Sequence, residues 1–298
     1  MTLRIGTRGS PMALFQANLV RDRLVAAHPG LAAEIAPIRT TGDRVQDRPL
    51  AEIGGKGLFS KEIEAALIDR RIDIAVHSLK DMETILPEGL EIGCVLPRDD
   101  PRDALAGASL ADLPQGARVG TGSLRRRAQL LRLRPDLAVA PIRGNVDTRL
   151  AKLAAGEIDA LMVAYCGLQR LGRSEVATDI LPPSTILPAV GQGALAIECR
   201  ADDDGAKPLI AALHDAPSAA CVLAERAMLA ALDGSCRTPI AGLATIANGR
   251  LALTALLLSP DGAREYRASG DAAPEDAPTL GAEIGARLRR DAGPDFAW

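Results

Sequence analysis

Over the first two hundred residues, short apolar runs alternate with longer stretches whose apolar positions recur every three or four residues. This is the pattern of strands exchanging with helices in an α/β protein built on mainly parallel sheet. Leu3 to Gly6 predicts a strand, Ser10 a helix N-cap, Pro11 the first helical residue and Met12 to Ala26 the helix. A strand over Glu34 to Arg39 follows, then a polar, glycine-containing stretch from Thr40 to Gly57, of which 43–57 is expected to be a mobile loop. A helix over Ser60 to Arg70 and a strand over Ile72 to Val76 complete the series.

The series then recurs in the same order. Arg4-Ile5-Gly6-Thr7-Arg8-Gly9-Ser10 is echoed by Arg118-Val119-Gly120-Thr121-Gly122-Ser123, Ala36-Pro37-Ile38-Arg39 by Ala140-Pro141-Ile142-Arg143, and Arg71-Ile72-Asp73-Ile74-Ala75 by Glu157-Ile158-Asp159-Ala160-Leu161. Two similarly built α/β domains are expected, with a ligand enclosed between them. Beyond residue 200 the pattern changes: a helix over Ser218 to Leu232, strands over Ile240 to Ile246, Arg250 to Leu258 and Arg264 to Ser269, and a helix from Pro278 to Arg290. Asn248-Gly249 and Asp261-Gly262 fall between the strands as hairpin turns, so this part reads as a small α+β domain. The tail from Asp291 is expected to fray.

Composition narrows the classes. With 47% hydrophobic residues, 24% charged and a net charge of −3, the chain is neither disordered nor fibrous. No apolar run reaches membrane-spanning length and no secretory signal opens the chain, so a cytoplasmic protein away from membranes is expected. Five scattered cysteines and three histidines form no metal-ligand spacing, so no metal is expected. Cys94, Cys166, Cys199 and Cys221 lie in apolar runs and read as core. Cys236 instead sits in Gly234-Ser235-Cys236-Arg237-Thr238-Pro239, a turn where Arg237 would favour its thiolate.

Of 35 basic residues only five are lysine. Genome composition explains such a bias as readily as a need for planar, bidentate partners of carboxylate or phosphate. The bias is concentrated at 98–149, where ten Arg face six Asp. Both Gly-rich turns, Gly6 to Ser10 and Gly120 to Ser123, precede helices, and each reads either as a tight turn with a Ser cap or as an anion site. Three arginines on the first turn after Ser123 oppose the helix dipole, which favours an anionic ligand. A nucleic-acid groove is disfavoured by only three aromatics before residue 200. Lys80 and Asp81, after a strand, read as an ordinary surface ion pair or as a carboxylate among guanidiniums that acts as an acid/base or stabilises a cationic intermediate; Asp81 is the best acid candidate.

On these motifs the chain resembles the hydroxymethylbilane synthase (porphobilinogen deaminase) family: Arg-Ile-Gly-Thr-Arg-Gly-Ser-Pro (4–11), Gly-Lys-Gly-Leu-Phe (55–59), His-Ser-Leu-Lys-Asp-Met (77–82), Gly-Ser-Leu-Arg-Arg (122–126), Arg-Gly-Asn-Val (143–146), Pro-Ala-Val-Gly-Gln-Gly (188–193) and Gly-Ser-Cys-Arg-Thr-Pro (234–239). The resemblance implies an α/β fold of two periplasmic-binding-protein-like domains plus a smaller α+β C-terminal domain. The divisions it implies are 1–98 with 196–215, 99–195, and 216–298. It implies a transferase that joins four porphobilinogen molecules head to tail with loss of ammonia. The primer would be dipyrromethane, held as a thioether on Cys236.

Asp81 matches the family's catalytic carboxylate. Lys80, Asp81, Ser10, Thr121, Ser123, Arg125, Arg126, Arg143 and Gly144 match cofactor-binding positions. Arg8, Ser10, Gln16, Lys56, Phe59, Arg143, Arg149 and Arg170 match substrate-binding ones. A monomer passing its product to uroporphyrinogen-III synthase is implied, with no nucleic-acid or membrane partner. Gly122, Tyr165-Cys166-Gly167 and Glu83 depart from the family pattern, and Glu83 would raise the pKa of Asp81 if the two side chains approached. Competing classes are a non-catalytic two-lobed anion binder and a nucleic-acid-binding regulator.

Overall fold

The computed structural model describes residues 2–44, 57–234, 238–294 and 296. Most of the expected loop at 43–57 therefore lies outside the described residues, as do Lys56 and Cys236. In chain order the elements are β1 (Thr2–Arg8), α1 (Pro11–Ala27), β2 (Ala32–Ile38), α2 (Thr41–Arg44), α3 (Lys61–Ile68), β3 (Ile74–Ser78), β4 (Leu90–Val95), β5 (Asp103–Ala106) and β6 (Arg118–Gly120). They continue with α4 (Leu124–Leu133), β7 (Ala138–Ala140), α5 (Val146–Ala154), β8 (Ala160–Ala164), α6 (Tyr165–Arg170), β9 (Ala177–Leu181), β10 (Leu195–Arg200), α7 (Ala206–Ala211) and α8 (Ala216–Ala231). The strands β11 (Ile240–Ala247), β12 (Arg250–Leu258) and β13 (Glu265–Ala272) and the helix α9 (Ala277–Ala292) end the chain.

The chain divides into two compact units, Met1–Asp99 with Ala194–Ala219, and Asp100–Gly193 with Ala220–Trp298. In the first, the sheet order is β2-β1-β3-β10-β4. β1 runs parallel to β2 and β3, whereas β10 is antiparallel to β3 and β4. Four of the five strands therefore run in one direction, the mainly parallel sheet that the pattern predicts, and β10, which arrives from a hundred residues downstream, is the antiparallel one. One face buries Ile5, Val20, Leu24, Val76 and Ile197. The other buries Ala75 beneath Ile63, Ala66 and Leu67 of α3. Ser10, in extended conformation, accepts the amide hydrogen bond of Ala13, and Pro11 needs no such partner, which starts α1 where the sequence predicts.

The second unit repeats the plan as β7-β6-β8-β5-β9, with β5 antiparallel to β8 and β9. The repeat extends to side chains. Arg4 donates its amide and Nη2 to Asp73, each at 2.7 Å, and Arg118 does the same to Asp159 at 2.7 and 2.8 Å. A Cβ on Gly6 would press on Cδ1 of Ile72 and one on Gly120 on Cδ1 of Ile158, so an isoleucine tip fills the space beside glycine at the same point of both strands.

The same unit contains an antiparallel sheet, β11-β12-β13, whose core includes Leu251, Leu253 and Leu257 under Ile284 and Leu288 of α9. Positive φ at Asn248 (51°) and Gly249 (73°) makes the first hairpin turn type I′. Ala128, Leu187, Ala241, Leu256 and Leu258 form one apolar cluster spanning both sheets' surroundings, so residues 100–193 and 220–298 pack as a single unit. The expected fraying after Asp291 does not extend to Phe296, which is 3% exposed, meets Tyr266 edge-on at 5.8 Å and lies under the Arg264 guanidinium. Burial of that ring holds Phe296 against the sheet.

Candidate functional site

In the first unit, a pocket of about 70 Å³ opens at the carboxyl ends of β1 and β3, the usual ligand edge of an α/β sheet. It brings together Arg8, Ser10, Gln16, Phe59 and Asp81 of the expected site, and adds His77. Asp81 ends a 3-10 turn, Leu79–Asp81, that follows β3 directly, and is exposed. The guanidinium of Arg8 lies 4.0 Å over the Phe59 ring and is paired with Asp43, which also accepts from the Thr40 hydroxyl at 2.7 Å. Burial alone would raise the carboxyl of Asp43, but its bonds to Arg8 and Thr40 outweigh that and lower it.

Gln16 is 2% exposed and exchanges hydrogen bonds with the Ser78 hydroxyl at 2.8 and 3.1 Å, which ties α1 to the end of β3. Lys80 is half-buried on the same turn as Asp81. Glu83 accepts from the amide of Gly57 at 2.6 Å, a contact that engages its carboxylate with the chain ahead of Phe59.

The arginine-rich residues of the second unit sort into two groups. Arg125 and Arg126 are buried and converge on Asp103, which is 0% exposed. Arg125 Nη1 reaches one oxygen at 2.7 Å; Arg126 Nη2 and Nε reach the other at 2.7 and 3.0 Å; Gln192 donates to the same oxygen at 2.8 Å. Burial would raise the Asp103 carboxyl, but the two adjacent positive charges and their hydrogen bonds hold it well below the usual carboxylate range. The anion that the sequence demands beside the first turn of α4 is therefore supplied by the protein itself. Arg127, the third arginine, donates to the carbonyl of Pro260.

Thr121 and Ser123 do local work: the Thr121 hydroxyl accepts from the Ser123 amide at 3.2 Å, and the Ser123 hydroxyl caps α4. Their O–H groups still have donors to offer. Arg143 and Gly144 lie outside this buried cluster, in the turn before α5. Gly144 has φ +108°, and a Cβ there would press on Thr148 at 2.7 Å. Nη1 of Arg143 is buried without a hydrogen-bond partner among the described residues. Arg149 lies on α5, and Arg170, at the end of α6, donates to the carbonyl of Gly193 at 2.8 Å. Sequence reasoning missed Asp103, Gln192 and Glu198, all 0% exposed. The available signal was the charge or amide within otherwise apolar strands and turns. The four cysteines expected in the core are buried. Among the described residues no group of side chains could hold a metal, and no helix is long and apolar enough to cross a membrane.

Fold and site together define a mixed α/β protein with two repeated five-stranded sheets, a small α+β part and a donor set suited to carboxylates. The family description "Porphobilinogen deaminase, dipyromethane cofactor binding domain" matches residues 3–208, and "Porphobilinogen deaminase, C-terminal domain" matches 219–290. Porphobilinogen deaminase of Nitrobacter hamburgensis is 53% identical over 98% of this chain and 94% of its own length. That of Paracoccus denitrificans is 55% identical over 99% and 96%, and that of Syntrophobacter fumaroxidans 49% over 96% and 94%. Among solved structures, a TRAP periplasmic solute binding protein from Desulfovibrio salexigens aligns at a TM-score of 0.45 with 12% identity, covering 74% of this chain and 73% of its own. The chain belongs to the porphobilinogen deaminase family. It is a transferase of tetrapyrrole biosynthesis that polymerises porphobilinogen into hydroxymethylbilane on a dipyrromethane cofactor. Pyrroles bearing carboxylates suit this donor set, and the unmatched Nη1 of Arg143 is a buried donor of the kind such a group satisfies.

Proposed function

We propose that Asp81 is the carboxylate at the reacting centre and that Cys236 carries the cofactor as a thioether. The observation that carries the first assignment is the pocket in which Asp81 meets Arg8, Ser10, Gln16 and Phe59, residues drawn from separate stretches of chain. An exposed carboxylate there stabilises positive charge that develops as the substrate's aminomethyl group loses ammonia. Arg8, Ser10, Gln16, Lys56 and Phe59 position the substrate. Arg143, Arg149 and Arg170 hold carboxylates bidentately without surrendering a proton. Lys80, Thr121, Ser123 and Gly144 complete the cofactor's surroundings, and Arg125 and Arg126 act there from positions preset by Asp103.

When bound, dipyrromethane supplies the pyrrole on which the chain is started. A thioether anchor keeps every later addition effectively unimolecular. We further assign the domains as 1–98 with 196–215, 99–195 and 216–298, and the protein as a cytoplasmic monomer whose product passes to uroporphyrinogen-III synthase.

Intact-mass measurement tests the anchor. The wild type should exceed its sequence mass by two linked pyrroles, on a peptide containing Cys236, and Cys236→Ser should lose that mass; a normal cofactor load on the Ser variant rules the anchor out. Asp81→Ala should fold and load cofactor but lose about a hundredfold or more in kcat.

A further inference from the structure

Behind the Asp81 pocket lies a buried group of titratable side chains that the roles above leave unused. His77 lines the pocket and is 7% exposed. Its Nε2 is 2.9 Å from Oε2 of Glu198, which is 0% exposed. The pairing of β3 with β10 sets this contact: Ala196 stands opposite His77, so Glu198, two residues on, projects from the same face. Glu64 of α3 covers that face and is 6% exposed. Oε1 of Glu198 and Oε1 of Glu64 are both buried with no hydrogen-bond partner among the described residues. Burial pushes the carboxyl of Glu64 up, and the charges of Glu198 and Glu83 push it further, against the opposing influences of the Ser60 hydroxyl and of His77. Around the imidazole, then, stand Glu198 from β10, Glu64 from α3, and Arg8 and Asp81 in the pocket.

Two enclosed carboxylates with one imidazole are a costly arrangement unless they hold protons. We propose that His77, Glu198 and Glu64 form a proton store for the reaction, in which His77 exchanges protons with the pocket and the two glutamates are positioning residues that set its charge. An aminomethyl group that enters the pocket as the free amine needs one. When the C–N bond of the aminomethyl group breaks, its electron pair leaves on nitrogen, and a proton from the store converts the departing amine to ammonia. When the new C–C bond forms, the attacked α-carbon of a previously added substrate ring loses its proton, which returns to the store. One proton leaves and one comes back in each round, so the store needs no outside supply. The proposal rests on the Asp81 pocket being the reacting centre.

The test uses holoenzyme. With three histidines in the chain, the His77 ring signal can be assigned in carbon-13 spectra by its loss in His77→Gln, and followed with pH. Its midpoint should move in Glu198→Gln and in Glu64→Gln, a readout independent of turnover. In parallel, His77→Gln should lower kcat about a hundredfold with KM little changed, and Glu64→Gln should displace one limb of the kcat–pH profile. Superimposable profiles and an unmoved His77 midpoint in the folded Glu64→Gln protein would overturn the proposal, even if Glu198→Gln fails to fold. Asp81→Ala separates the two readings: undiminished turnover in that variant removes the reacting centre itself, whereas its loss together with an unmoved His77 midpoint in Glu64→Gln removes only the store.

Discussion

Asp103 is enclosed completely, and its two oxygens face two guanidiniums that are themselves buried. Removing one member of such a group strands the others without compensation. Asp103→Asn should therefore lower unfolding free energy by about 3–5 kcal/mol, read from urea denaturation at neutral pH. The same residue shapes acid stability. Its folded carboxyl is held below the value of about 3.9 at which the unfolded chain takes up its proton. The unfolded state thus binds the proton first, and the contribution is complete above that value and fades as pH falls toward the folded one. Wild-type stability should drop more steeply than that of Asp103→Asn below about pH 4; parallel curves would show that Asp103 is not the group responsible. In the sequence, Asp103 directly follows Arg102, which the structure pairs with Asp100 instead, while its actual partners lie 22 and 23 positions on. The arginines were legible as needing an anion; that the anion belongs to the same chain was not.

At the scale of elements, each five-stranded sheet is closed by the same clip, an arginine at the start of one strand held by the aspartate before its neighbour. The two clips sit in different surroundings. The Asp73 side chain is 6% exposed and also faces Arg200, while that of Asp159 is 39% exposed. A buried acceptor that loses charge leaves its donors under-satisfied, whereas water replaces an exposed one. Asp73→Asn should cost about 1–3 kcal/mol and Asp159→Asn little, measured as paired urea midpoints; an equal cost would show that burial does not set the difference. The helices and the hairpin strands were readable because caps, periodicity and turn residues are local signals: Ser10, Pro11 and Asn248-Gly249 each act where they stand. The strands β5 and β10 were not. Leu195–Arg200 is buried at every position, Glu198 and Arg200 included, so it shows neither alternation nor a clean apolar run. Arg200 pairs with nearby Asp203, but it also donates to the carbonyls of Leu67 and Ile72 at 2.8 Å, and Glu198 meets His77, partners far away in sequence.

Across the whole molecule, the first unit is discontinuous. β10 lies between β3 and β4, so residues 1–99 alone leave both those strands with unpaired edges in what should be the middle of a sheet. The hydrophobic face is incomplete as well, since Ile197, Cys199 and Ile210 belong to the returning segment. During synthesis that segment emerges only after residues 100–193, and the long-range pairing it makes carries a loop-closure cost that slows folding. Residues 1–99 should therefore aggregate or remain molten when expressed alone. Joining residues 194–219 to them through a flexible linker supplies β10 and α7 at high effective concentration and should give a soluble fragment with cooperative urea unfolding. The comparison is direct: if 1–99 unfolds cooperatively without the returning segment, β10 is an addition to a sheet that already stands. If neither fragment folds, the first unit depends on the second for more than the strand it lends.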